Sequence, residues 1–152
     1  MTDKVIVYTN PKSGILAVCI PAPEGRLSDE SEDAWLERVK ARSVQADAKD
    51  VRVMLRADIP QDRTFRNAWV MDGGRPNVCM ARARDLQRYR IRRKRKAKFR
   101  ELDAQHLRAL EAGDTAALAS IAAAKKKLRD APAHPDIDAA QTPDQLKAAW
   151  PI

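Results

Sequence analysis

The chain has 152 residues, with 29 Lys and Arg against 21 Asp and Glu and a formal net charge of +8 at pH 7. That length suits one ordinary domain, or a small domain with a helical extension, rather than two equal domains. Two cysteines, Cys19 and Cys79, are too few and too far apart for a zinc ligand set or a secreted disulfide framework; both are expected as buried thiols.

No apolar run approaches the roughly 20 residues that cross a bilayer, and Met1-Thr2-Asp3-Lys4 leads straight into a strand-like run without a charged-then-apolar leader. A soluble protein made in a reducing cytoplasm is the expectation. The apolar fraction of 44% includes 26 Ala, while Leu, Ile, Val and Phe together number 30, of which 18 lie up to Val78 and 12 beyond it. The second half is therefore short of core-forming side chains and is expected to need a partner.

In chain order, Val5-Ile6-Val7-Tyr8 and Ile15-Leu16-Ala17-Val18-Cys19-Ile20 are β-branched runs separated by Asn10-Pro11-Lys12-Ser13-Gly14, which reads as a β-hairpin. Pro21-Ala22-Pro23-Glu24-Gly25 stops it. Ser31, or an earlier Ser or Asp, caps a helix in which Trp35, Leu36 and Val39 share a face, with Glu30, Glu32 and Asp33 at its positive end. Residues 51–56 form another strand candidate, and residues 65–71, Asp72-Gly73-Gly74 and Asn77-Val78 read as a final hairpin or extended segment. Residues 1–79 are thus expected as a small antiparallel α+β domain.

From Met80 there is neither Pro nor Gly until Gly113. About 33 residues of helix formers imply a helix of about 50 Å at 1.5 Å per residue. Glu111-Ala112-Gly113-Asp114 carries a helix stop followed by a helix start. A second helix, residues 115–130, should fold back antiparallel as an αα-hairpin. Phe99, Leu102, Leu107 and Leu110 are expected to pack there against Leu118, Ile121 and Leu128. Pro132 and Pro135 end that helix, Thr142-Pro143-Asp144-Gln145 is a capping box, and Trp150 is expected to dock on the hairpin. Residues 80–152 thus read as a long helix, the hairpin and a short capped helix, and the fold class is α+β.

Eleven of the nineteen residues 82–100 are Lys or Arg, with Asp85 the one acid; the remainder of the chain holds 18 basic and 20 acidic residues. The positive charge belongs to this one segment, and such a block attracts phosphates, anionic lipid or an acidic protein surface. Arg84, Arg88, Arg92, Arg93, Arg95, Lys96 and Arg100 are the candidate contacts to an anionic partner. Like charges at i and i+4, as in Arg92, Lys96 and Arg100, cost an isolated helix tenths of a kcal/mol per pair, which weighs against a merely solvated face. Base-reading helices carry Asn, Gln or Ser beside Arg, and here Gln87 stands nearly alone. Single-strand binding wants stacking aromatics, and only Tyr89 and Phe99 are at hand. An acidic protein or a neighbouring subunit is favoured over nucleic acid, which stays open.

Catalytic candidates are few. His106 falls within the apolar stripe and His134 in a Pro-flanked loop, with no Cys, Ser or carboxylate spacing to make a triad or metal set. Asp72-Gly73-Gly74 lacks the Gly-x4-Gly-Lys-Ser/Thr pattern of a phosphate loop and reads as a plain turn. Asp136 and Asp138 read as local caps. No catalytic, cofactor or metal residue is expected, and an enzyme is not.

Several phrases carry a resemblance that spans nearly the whole chain. They are Val5-Ile6-Val7-Tyr8-Thr9-Asn10-Pro11, Asp62-Arg63-Thr64-Phe65-Arg66-Asn67-Ala68-Trp69, Met80-Ala81-Arg82-Ala83-Arg84, Glu111-Ala112-Gly113-Asp114-Thr115-Ala116-Ala117, Leu128-Arg129-Asp130-Ala131-Pro132, and Thr142-Pro143-Asp144-Gln145-Leu146-Lys147-Ala148-Ala149-Trp150-Pro151. With these the chain resembles a family of small proteins encoded among the tail and virion-structure genes of tailed bacteriophages and prophages. The resemblance implies a virion or tail-assembly context and supplies no catalytic residues. The density of Lys and Arg over residues 90–100 exceeds that family's pattern.

Together these readings lead to the expectation of a non-enzymatic structural component of a phage particle, at the tail or tail-fibre attachment, oligomeric and bridging other virion proteins, with no cofactor and no membrane. The rivals are a tail or tail-fibre assembly chaperone absent from the mature virion, and a nucleic-acid-binding accessory protein using the helix of residues 82–100.

Overall fold

Alternation of β-branched residues builds the first sheet. β1 (Lys4–Thr9) pairs antiparallel with β2 (Leu16–Cys19) on one side and with β3 (Lys49–Leu55) on the other, giving the order β2-β1-β3. In the β1–β2 turn the Asn10 carboxamide oxygen accepts from the backbone N–H groups of Lys12 and Ser13, and Gly14 sits at φ 62°, where a side chain would be strained. The β1–β3 register shifts between Val7 and Thr9. There Asp50 takes φ 55°, and its carboxylate accepts from the Thr9 hydroxyl at 3.0 Å, a β-bulge held by a side chain that tolerates the left-handed region. The computed structural model describes residues 3–152.

α1 (Glu32–Ser43) starts at Ser31, whose hydroxyl accepts from the Ala34 N–H at 3.2 Å. Its first turn is tied to β1 by Lys4, whose ammonium pairs with Glu32 at 2.8 Å and with Asp33 at 3.3 Å. Lys4 alternates with Ile6 and Tyr8, so α1 is joined to that face of the sheet, and Trp35 and Leu36 are buried. On the opposite face Val5, Val7 and Leu16 pack with Ile59 and Trp69, flanked by Val18, Met54, Met71 and Val78. Trp69 opens β4 (Trp69–Asp72), which pairs with β5 (Arg75–Val78) through Gly73 and Gly74 at φ 54° and 82°. Positive φ at both central residues is the signature of a type I′ hairpin turn, so Asp72-Gly73-Gly74 is a turn. The last hairpin begins later than expected: residues 66–68 wind into a 3₁₀ turn, with Phe65 and Ala68 buried. Cys19 and Cys79 are free and half-buried rather than fully enclosed, because Cys19 sits on an edge strand and Cys79 follows β5 at the end of the sheet.

The run without Pro or Gly is one helix, α2 (Met80–Glu111), of 32 residues. It stops at Gly113, φ 68°, where the Gly113 N–H bonds to the Leu110 carbonyl and the Asp114 N–H to the Ala109 carbonyl. These two bonds make a Schellman motif. Asp114 then caps α3 (Thr115–Asp130) by accepting from the Ala117 N–H at 2.9 Å. The Lys125–Asp103 ion pair and the bond from Arg95 to the Leu128 carbonyl show that α3 runs back along α2, an antiparallel αα-hairpin.

Pro132 lies in a 3₁₀ turn after α3, but Pro135 opens a further helix, α4 (Pro135–Ala139), which the sequence reading missed; the His134 ring nitrogen accepts from the Asp136 N–H as its cap. α5 (Pro143–Ala148) is capped by Thr142, and the Gln145 carboxamide accepts from the Gln141 N–H at 2.8 Å, one residue upstream of the usual capping-box partner. The chain divides into two compact units, Met1–Cys79 and Met80–Ile152.

The inner face of α2 differs from the expected stripe. Ile121 and Leu128 of α3 are buried, Phe99, Leu102 and Leu118 are half-buried, but Leu107 and Leu110 are 60% and 59% exposed. At about 100° per residue, Arg84, Arg88, Ile91, Arg95, His106 and Ala109 lie within about 40° of Leu102, whereas Leu110 is about 80° and Leu107 about 140° away. Both leucines therefore point out, and Ala109 takes the inner position beside α3. Trp150 is 40% exposed and borders Arg90, Arg93 and Lys94 on α2 instead of covering the α2–α3 seam. The hydrogen bonds that Gln87 donates to the carbonyls of Leu146 and Ala149 hold the end of α5 over that turn.

Candidate anionic-partner interface

The basic run divides by helical phase into an inner and an outer set. On the inner side Arg95 donates to the carbonyls of Leu128 and Arg129 at 3.0 and 2.9 Å, and Arg84 donates to the carbonyl of Ala140 at 2.8 Å. Gln87, 2% exposed, donates to the carbonyls of Leu146 and Ala149 at 3.0 and 3.1 Å. These acceptors end α3, α4 and α5, and the last carbonyls of a helix have no partner within it and carry its negative pole. Side chains of one face of α2 thus close the C-termini of three other helices. Arg88 completes the set by pairing with Asp138 and with Asp85; hydrogen bonding to Asp138, reinforced by the charge of both carboxylates, raises its pKa above the usual guanidinium value.

Three of the seven candidate contacts, Arg84, Arg88 and Arg95, are therefore internal clamps and are not free for a partner. Gln87, which stood out as a lone polar reader in the basic run, is a buried clamp of the same kind. Its signal in the sequence was its uncharged state amid Arg and Lys, at a helical turn from Ala83 and Ile91.

Arg92, Arg93, Lys96 and Arg100 are exposed. No carboxylate among the described residues pairs with any of them; Asp85 and Asp103, the acids at the two ends of this face, are held by Arg88 and Lys125. The Arg93 guanidinium lies 5.9 Å from the centre of the Tyr89 ring, itself 55% exposed, and Arg95 lies 5.9 Å from that of Phe99. Beside Arg93 is an open depression of about 620 Å³ lined by Arg90, Lys94 and Trp150. The role of Arg90, Lys94 and Trp150 was not legible in the sequence, because Trp150 lies more than 50 residues away along the chain.

The outer face of α2 is a cationic stripe with an aromatic ring at its N-terminal end and Leu107 beyond its C-terminal end. Its chemistry suits contact with negative charge, since guanidinium groups can bind carboxylate or phosphate through paired donors. No group of three or more His, Cys, Asp or Glu side chains among the described residues could hold a metal ion, and no helix among them is long and apolar enough to cross a membrane. His106 is half-buried on the inner face, and His134 is a helix cap beside Asp136. No protein-family model, curated protein or solved structure matches the chain.

Proposed function

We propose that this chain is a non-enzymatic structural component of a tailed-phage particle, at the tail or the tail-fibre attachment, which binds an acidic surface of another virion protein through the outer face of α2. The observation that carries the reading is the group Arg92, Arg93, Lys96 and Arg100, exposed together and without an acidic partner among the described residues. Repulsion along such a ladder costs helix stability, and a facing carboxylate surface offsets that cost. The phage context rests on the resemblance given above. In this role the protein acts in the virion and needs no cofactor.

Mass spectrometry of purified particles tests the placement: the chain is expected in the mature virion, and its presence only in assembling lysates would favour the chaperone. The interface is tested by Arg-to-Lys replacement at Arg92, Arg93 and Arg100, which keeps charge but removes paired donors. Incorporation is expected to fall. A specific observation favours nucleic acid as the second reading: two exposed rings, Tyr89 and Trp150, flank Arg93, and bases stack on such rings. On that reading the Arg-to-Lys changes are silent, and each charge removed lowers the salt slope of binding by about 1.

A further inference from the structure

β3 ends its sheet with an open apolar edge. Val51, Val53 and Leu55 alternate onto one side of the strand and are 36%, 40% and 52% exposed, although Ile6, paired directly with Val53, is fully buried. The backbone points the same way. The Arg56 N–H bonds to the Asp3 carbonyl, and Asp3 stands opposite Arg56 in the register that pairs Lys4 with Leu55. In an antiparallel ladder such bonded pairs alternate with unbonded ones. Met54 therefore faces β1, while Val53 and Leu55 direct their N–H and C=O groups away from the sheet. The centre of this edge carries neither Pro nor Lys, the usual means of blunting it. Arg52 points to the other face, where its guanidinium lies against Gly74.

We propose that β3 pairs with β3 of a second copy about a two-fold axis through Val53, making one six-stranded sheet. A two-fold axis at Val53 sets Val53 against Val53, Val51 against Leu55, and Asp50 against Arg56 of the other copy. The first two pairings join the exposed apolar side chains across the seam. The third brings residues of opposite charge, Asp50 at the bulge and Arg56 at the start of the 3₁₀ turn, to each end of the seam. An axis at Arg52 instead would oppose two guanidinium groups directly, which is unfavourable. The outward groups of Val53 then meet each other as a hydrogen-bonded pair, as the alternation requires. The bulge at Asp50 and the 3₁₀ turn Arg56–Asp58 bound the flat stretch at both ends, so the contact closes as a dimer and does not propagate into a fibre. The pairing uses only residues of the first unit and is independent of the partner proposed for α2.

The full chain in sedimentation equilibrium is expected to dimerise, and Val53→Lys to leave it a folded monomer whose melting temperature, unlike that of the dimer, does not vary with protein concentration, since Val53 is 40% exposed in the single chain. Arg56→Glu, which sets two carboxylates against each other at each end, is expected to weaken the dimer several-fold and serves as the second variant where Val53→Lys alters folding. The register has its own readout: with Cys19 and Cys79 replaced by Ser, Val53→Cys is expected to cross-link copies through a short bifunctional thiol reagent. Leu55→Cys alone is expected not to, and Leu55→Cys mixed with Val51→Cys is expected to cross-link. A chain that stays monomeric at its highest soluble concentration overturns the proposal, as does an oligomer indifferent to both Val53→Lys and Arg56→Glu, or cross-linking at Leu55→Cys alone as efficient as at Val53→Cys.

Discussion

Single side chains decide whether charge in this protein serves stability or binding. Gln87 is enclosed and donates to two carbonyls, so Gln87→Leu strands two acceptors in the interior. The expected loss is about 1–3 kcal/mol, read as a lower denaturant midpoint with unchanged slope. Glu30 shows the same logic in the first unit. Arg38 pairs with it at 2.6 Å, and this hydrogen bond, with help from the Leu27 N–H and from nearby positive charge, holds its pKa below the ordinary 4.5. A depressed folded pKa contributes stability that is present above the unfolded value and is lost as pH falls through the folded one. The melting temperature is therefore expected to drop as pH is lowered below about 4.5, and Glu30→Gln to flatten that part of the profile. An equally steep acid limb in the Gln variant would assign the loss to other carboxylates.

At the scale of elements, the α2–α3 hairpin separates apolar residues that look alike in sequence. Leu107 faces solvent and Ile121 is buried. Leu107→Asp is expected to change stability by less than about 0.5 kcal/mol, whereas Ile121→Ala is expected to cost about 2–4 kcal/mol through the cavity it leaves. Equal effects in thermal melts would place the seam of the hairpin elsewhere. The hairpin itself was legible: the absence of Pro and Gly over residues 80–112, then Gly113 followed by Asp114, specifies one long helix, a left-handed stop and a new cap within a few residues. The phase of its inner face was not legible. In the basic run the inward positions beside Ala83 and Ile91 are held by Arg84, Gln87, Arg88 and Arg95, polar residues that a search for an apolar stripe passes over, and Leu107 and Leu110 drew the stripe off by up to about 140°.

Across the whole molecule the charge is partitioned. Residues 1–79 hold 12 basic and 12 acidic side chains, so the net charge of +8 resides in residues 80–152. Within those residues the inner clamps and the outer ladder make opposite predictions. Replacing Arg92, Arg93, Lys96 and Arg100 by Gln is expected to abolish the proposed binding to an acidic partner and to leave the melting temperature of the isolated chain unchanged or slightly raised, because like-charge pairs at i and i+4 are relieved. Replacing Arg84 and Arg95 by Met is expected to lower it, because helix-end carbonyls lose their donors. A fall in stability for the first set would make those cations structural too.

Local signals determined the elements: the β-branched runs around Asn10 and Gly14, the Ser31, Asp114 and Thr142 caps, and the paired glycines at 73 and 74 act over a few residues, so the chain order of strands and helices was readable from sequence. So was the confinement of positive charge to one segment. Only the tertiary structure decided which cations are available, because pairing of Arg84, Arg88 and Arg95 with groups 33 to 56 residues away depends on where α3, α4 and α5 come to rest. The exposure of β3 was decided the same way. Alternation in Val51-Arg52-Val53-Met54-Leu55 marks a strand with one apolar face, but whether that face is covered depends on sheet order, and the order β2-β1-β3 leaves it at the edge.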